Sequence, residues 1–185
     1  MEWIIPGTVL TAHRDQTGET ETQLRSMFLA GGMVRSQVAA ITGLESHAVQ
    51  NWVKRGFLSP PVNKRYTLRQ VSRIIIINML KSALPMERIC SLLSFVNGEL
   101  DDESDDSIDD SELYFAFLRV AAKLRDLATN QDALTLCIRE SLAGYREPAP
   151  GAKKRVEQVL RIMLTAWASV QLQREAEKQF EELEQ

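Results

Sequence analysis

At 185 residues, 44% apolar and 25% charged, the chain can bury a core in one domain or two small ones and is too apolar to be disordered. The formal net charge of −3 conceals a segregation: residues 33–98 hold nine basic side chains against Glu45 and Glu87, a surplus of seven, which leaves −10 on the remainder. This excludes a uniformly sticky chain and points to a local polyanion site, while no apolar run approaches the roughly 18–20 residues that cross a bilayer.

Apolar residues recur at three- and four-residue spacing nearly throughout, which predicts an all-α protein with one small β wing. Met1–Leu10 lacks the features of a signal peptide, so a cytoplasmic protein is expected. After an irregular start, a helix is predicted over 20–30, stopped by Gly31–Gly32. A short helix over 36–42 follows, with Ser36 as its N-cap and Val38, Ala39 and Ile41 toward the core, and Gly43 breaks it. In the next helix, 46–55, Val49, Trp52 and Val53 share one face and should pack inward. His47, Gln50, Asn51, Lys54 and Arg55 are left facing outward.

Gly56 ends that helix, Ser59–Asn63 forms a loop, and Lys64–Arg65–Tyr66 is a short basic and aromatic segment, the expected wing. Thr67-x-x-Gln70 is a capping box that opens a helix over 68–82. Within it Ile74–Ile77 suits a strand by propensity, but the cap and the spacing of Leu68, Val71, Ile75 and Met79 favour helix. Pro85 suits the first turn of another helix, whose Ile89, Leu92, Leu93 and Val96 form one stripe before Asn97–Gly98 closes it.

Residues 99–112 carry nine acidic side chains in fourteen positions and read as a solvated linker or a frayed helix start. A calcium loop is set aside, because the sixth-position glycine and closing glutamate are missing. One hypothesis has this segment fold back onto the basic domain and compete with DNA. Beyond it, Leu113, Phe117, Val120, Ala121, Leu124 and Leu127 predict one amphipathic helix, and Leu134, Cys137, Ile138 and Leu142 a second that ends at Gly144. A linker at 148–151 precedes a long terminal helix, whose Val156, Leu160, Met163, Trp167 and Val170 either pack within the C-terminal domain or form a dimer seam. Cys90 and Cys137 fall on apolar helix faces without CxxC spacing and are expected to be buried, reduced thiols. The expected organisation is an N-terminal helical extension (1–32), a DNA-binding domain (33–98), an acidic linker (99–112) and a helical assembly or effector domain (113–185).

Two short helices around a turn at Gly43 make a helix-turn-helix, and the second has the size and exposed chemistry to enter a major groove. Gln50 or Asn51 suits a bidentate pair with adenine, and Lys54 or Arg55 a guanine or a phosphate. The candidate DNA-binding set is Arg35, Ser36, Ser46, His47, Gln50, Asn51, Lys54, Arg55, Lys64, Arg65 and Tyr66. Glu45 either orients Arg55 or faces solvent. The chain has no GxSxG, GxGxxG, Walker or HExxH motif, and its histidines and cysteines are isolated, so no enzyme activity, metal or cofactor is expected.

The run SQVAAITGLESHAVQNWVKRGFLSPP, continued by NKRYTLRQVSRIIIINMLKSALPMERICSLL, resembles the MerR family over about 65 residues. The resemblance implies a winged helix-turn-helix, with Trp52 and Gly56 at the aromatic and glycine positions and Lys64 and Tyr66 at wing positions that contact phosphate. Where most of that family has arginine and then tyrosine in the recognition helix, this chain has Gln50 and Asn51. The longer string, through the acidic segment to SELY, is similar to a small bacterial family of unassigned function with a MerR-like domain. These resemblances imply a transcriptional regulator that binds double-stranded DNA as a homodimer. Two alternatives are a protein-interaction module on the same scaffold and an excisionase-like architectural DNA binder.

Overall fold

The computed structural model describes residues 2–100, 102, 104–123 and 131–183. Among these the chain is predominantly helical, with two small antiparallel sheets. In chain order the elements are β1 (Glu2–Ile4), β2 (Thr11–His13), α1 (Thr17–Ser26), β3 (Met33–Val34), α2 (Arg35–Thr42), α3 (Ser46–Lys54), β4 (Arg65–Tyr66), α4 (Leu68–Leu80), α5 (Met86–Asn97), α6 (Asp110–Lys123), α7 (Gln131–Ser141) and α8 (Ala152–Leu183). No described helix is long and apolar enough to cross a membrane. Asp101 and Glu103 of the acidic segment, and Leu124 and Leu127 of the predicted amphipathic helix, lie outside the described residues.

α4 is the centre of the molecule. Thr67 Oγ1 accepts from the Gln70 amide at 3.2 Å and Gln70 Oε1 accepts from the Thr67 amide at 3.0 Å, so the predicted capping box is formed. Ile74, Ile75, Ile76 and Ile77 are all buried, because α4 is covered by α2, α5, α6 and α8. A helix enclosed on every side has no use for a polar face, and burial there outweighs the strand propensity of four isoleucines.

The chain start is not irregular, as the sequence suggests, but a hairpin in which Trp3 pairs with Ala12. Its three-residue strands are too short for alternation to show. Trp3 and Ile5 are buried, and the connecting loop is fastened to the helices. The Asn78 side-chain amide donates to the carbonyls of Gly7 and Thr42, both at 2.9 Å, and the Tyr114 hydroxyl donates to the Pro6 carbonyl at 2.7 Å.

The expected extension, linker and C-terminal domain share one core, which runs without a break from Trp3 to Trp167. Val156, Leu160, Met163, Trp167 and Val170, the candidate dimer seam, are buried inside this chain, and Trp167 meets Phe117 edge-on at 5.8 Å between ring centroids. Cys90 and Cys137 are free thiols, each half-buried.

The acidic segment departs furthest from expectation. It does fold back, and two of its carboxylates are drawn inside, while Glu99, Asp102, Asp105 and Glu112 stay exposed. Asp106 pairs with Arg69 at 2.8 Å and Asp110, 1% exposed, with Arg73 at 3.2 Å. Asp110 also accepts from the Asn97 amide at 2.7 Å, while Arg73 Nε donates to the Phe57 carbonyl at 3.2 Å. Two acids four residues apart thus meet two arginines four residues apart on α4.

Burial raises the Asp106 carboxyl from its ordinary 3.8 to about 6, against the opposing pull of Arg69. The folded chain therefore holds a proton that the unfolded chain has lost between about pH 4 and 6, so this group lowers stability as pH rises through that window. Urea midpoints of the wild type minus those of Asp106→Asn should fall across this interval. A difference that rises with pH would mean that the Arg69 pair dominates instead.

Candidate nucleic-acid interface

α2 begins one residue earlier than predicted. Its N-cap is Val34, whose amide donates to Gln37 Oε1 at 3.0 Å, so Ser36 lies in the first turn and does not cap. Gly43 ends α2 at φ 67°, where its amide donates to the Ala39 carbonyl. A side chain at Gly43 would meet Val9 at 2.8 Å and would have to adopt left-handed backbone. Leu44 is buried beneath the turn, and three residues after α2 the chain enters α3.

Val49 and Trp52 of α3 are buried, whereas His47, Gln50, Asn51, Lys54 and, just past the helix, Arg55 are exposed, as the periodicity requires. β4 pairs with β3, Met33 opposite Tyr66 and Val34 opposite Arg65, so the basic segment is laid against the start of α2. The segment expected to form a wing is a tight turn in which the Arg65 amide donates to the Val62 carbonyl at 2.9 Å. Asn63 and Lys64 occupy it at φ 50° and 62°. Positive φ at both central positions is the type I′ pattern, which favours Asn at the first and Gly at the second. Lysine at the second is a strained choice, and it holds an ammonium at the tip of the turn.

Between the start of α2, the outer face of α3 and this turn lies an open groove of about 660 Å³. Seven of the eleven candidates line it: Arg35, Ser36, Ser46, Gln50, Lys54, Lys64 and Tyr66, together with Val34, Val53 and Pro61. Three of these are cations and none is a carboxylate, so the groove attracts anions.

The other four are placed elsewhere. Arg55 pairs with Glu87 at 3.2 Å and lies 4.5 Å over the Phe57 ring. Glu45 therefore does not orient Arg55; it meets His47 Nδ1 at 3.0 Å. Arg65 donates to the Gly32 carbonyl at 2.9 Å, across a contact so close that a Cβ at Gly32 would lie 2.7 Å from the Tyr66 carbonyl oxygen. Asn51 is exposed but does not line the groove.

Tyr66 needs a correction of role. It is 3% exposed, and burial raises its phenol, with Arg35 pulling the other way. Its ring is floor rather than an arm that reaches over a phosphate. The basic surplus is also smaller at the surface than in the sequence, since Arg69 and Arg73 are consumed by Asp106 and Asp110 and line no part of the groove. The acidic pair that folds back onto α4 leaves Arg35, Lys54 and Lys64 uncovered.

Sequence reasoning missed Asp106, Asp110 and Asn97, which brace the groove from behind. Arg73 grips the Phe57 carbonyl, and the Gln70 amide donates to the carbonyls of Ser59 and Pro60 at 3.2 and 3.0 Å, so α4 fixes the loop that leads into the turn. The available signal was the matched four-residue spacing of Arg69/Arg73 and Asp106/Asp110.

The comparisons with known proteins agree with this unit. Residues 32–117 match a family described as "Domain of unknown function (DUF1836)". The match starts just before β3 and ends inside α6, so it includes both the groove and the acidic residues that brace it. "Uncharacterized protein YkrK" of Bacillus subtilis (strain 168) is 32% identical over 96 residues, which is 50% of this chain and 40% of the relative's length. No solved structure matches. Over the groove and its bracing network, the chain is thus similar to a family whose description assigns no function.

Proposed function

We propose that the chain is a transcriptional regulator that binds double-stranded DNA, with α3 in the major groove and the turn at Lys64 against the flanking backbone. The observation that carries this reading is the convergence of Arg35, Lys54 and Lys64, without a carboxylate, on the groove beside the exposed face of α3. Gln50 is the groove residue suited to a base edge, where a good bidentate contact discriminates by about 1–3 kcal/mol. The cations address phosphate, which sets affinity and register rather than sequence. The MerR resemblance supplies the winged helix-turn-helix as the scaffold, and a homodimer belongs to the reading because a two-fold pair doubles the contact set on a palindromic site.

A docking module on the same scaffold is the second reading. It draws on the pairing of Arg55, Arg69 and Arg73 within the chain, which shrinks the surplus that set DNA apart from a protein partner.

Two variants divide the labour. Lys64→Gly removes a charge and relieves left-handed backbone, so it should leave stability unchanged or raise it by up to about 1 kcal/mol while weakening binding to all duplexes alike. Gln50→Ala should instead alter which sequences are enriched from a random duplex library. Equal and sequence-independent losses in both variants would defeat the assignment of Gln50 to bases.

A further inference from the structure

The last carbonyls of α2, like those at any helix end, lie beyond the donors of their own helix. Gly43 takes the carbonyl of Ala39. Those of Ile41 and Thr42 are capped from outside the α2–α3 unit: the Val9 amide donates to Ile41 and the Asn78 side-chain amide to Thr42, both at 2.9 Å. A primary amide carries two N–H groups, and Asn78 gives its other one to the Gly7 carbonyl at 2.9 Å. Asn78 is thus a clasp between the hairpin loop, residues 5–10, and the turn into α3.

The loop is rigid and pressed against that turn. Thr8 is buried and closes it from inside, its hydroxyl donating to the Ile5 carbonyl at 2.9 Å and accepting from the Leu10 amide at 3.1 Å. Gly7, at φ 80°, lies so close to α4 that a Cβ there would collide with the Ile75 carbonyl oxygen. The same closeness recurs on the far side, where a Cβ at Gly43 would meet Val9. A further anchor is the buried Tyr114 of α6, whose hydroxyl holds the Pro6 carbonyl. α4 and α6 therefore hold the loop, and the loop holds the turn. The loop lies outside the matched residues 32–117, whereas Gly43, Asn78 and Tyr114 lie within them.

We propose that residues 5–10 are a positioning strut, which sets the angle at which α3 leaves the turn at Gly43 and so the placement of Gln50 relative to the turn at Lys64. Asn78 is the positioning residue through which the strut acts, without touching the duplex. Gly43 has no side chain with which to fix this angle, and without the strut the carbonyls of Ile41 and Thr42 would lose their donors. The consequence falls on discrimination more than on affinity. A cation holds phosphate over a range of angles, whereas a bidentate contact with a base edge needs one geometry. The effect on base contact rests on the DNA-binding reading; the fixing of the turn does not.

Native-state hydrogen exchange of the full chain tests the fixing of the turn without DNA. In Asn78→Leu the amides of Val9, Gly43 and Leu44 should exchange at least about ten-fold faster, with the Leu93 amide of α5 unchanged. Tyr114→Phe keeps the buried ring and removes only the bond to Pro6, and it should speed the same three amides to a smaller extent. Binding then tests the consequence, at a temperature where each variant is folded. Against the duplex that the wild type enriches most from a random library, Asn78→Leu should lose at least about ten-fold in affinity. Its affinity for random duplex and its salt slope should stay unchanged, because no phosphate contact is removed. No change at the three amides in either variant, or an equal rise at Leu93, would overturn the strut. An equal loss on both duplexes would overturn its effect on base contact. A wild type that binds no duplex would sink the DNA-binding reading, and the exchange pattern alone then decides the strut.

Discussion

Asp110→Ala is expected to destabilise the chain by about 3–5 kcal/mol, because it leaves Arg73 buried without its carboxylate. Arg73 is 4% exposed and Asp110 1%, so solvent cannot replace the lost partner. The same substitution removes the acceptor of the Asn97 amide. Removing both charges should be far milder: in Arg73→Met with Asp110→Leu no ion is left stranded, and the pair of changes should cost clearly less than the two single changes added together. Chemical denaturation of the four chains checks this. A loss below about 1 kcal/mol in Asp110→Ala would show that the ion pair is dispensable, and with it the bracing of the loop behind the groove.

The second large effect is on binding. Arg35→Ala, Lys54→Ala and Lys64→Ala combined should reduce the slope of log affinity against log salt by about 2.7, at roughly 0.9 for each phosphate that is no longer neutralised. At 0.1 M salt that is an affinity decrease on the order of 500-fold. All three side chains line the groove and none is buried, so the folded state should survive. Arg55→Ala is the control: its guanidinium is held by Glu87 and Phe57, and the slope should change little. A slope unaltered in the triple variant would move the polyanion site elsewhere.

How much of this was legible in the sequence follows from how far away each residue's partners lie. The outer face of α3 is read correctly because nine helical residues contain more than two turns, and Val49 and Trp52 fix the inward direction. The capping box at Thr67 is equally local. Tyr66 is misread because a two-residue strand has no periodicity from which to choose a face, and its pairing with Met33 is set by tertiary structure. Asp106 and Asp110 are misread because a run of acids is ordinarily solvated, and the arginines that draw them inward lie 37 positions upstream of each acid on α4. The seam on α8 shows the converse: periodicity finds an apolar face but does not say which surface covers it, and here that surface is the chain's own core.

Whether the groove beside α3 binds duplex DNA is decided by fluorescence anisotropy of the wild-type chain with random-sequence duplex across a salt series. Binding at low salt should weaken steeply and linearly on a log–log plot, with several phosphates neutralised. No binding even at the lowest salt would overturn the DNA-binding reading and leave the α2–α3 face as a surface for a protein partner.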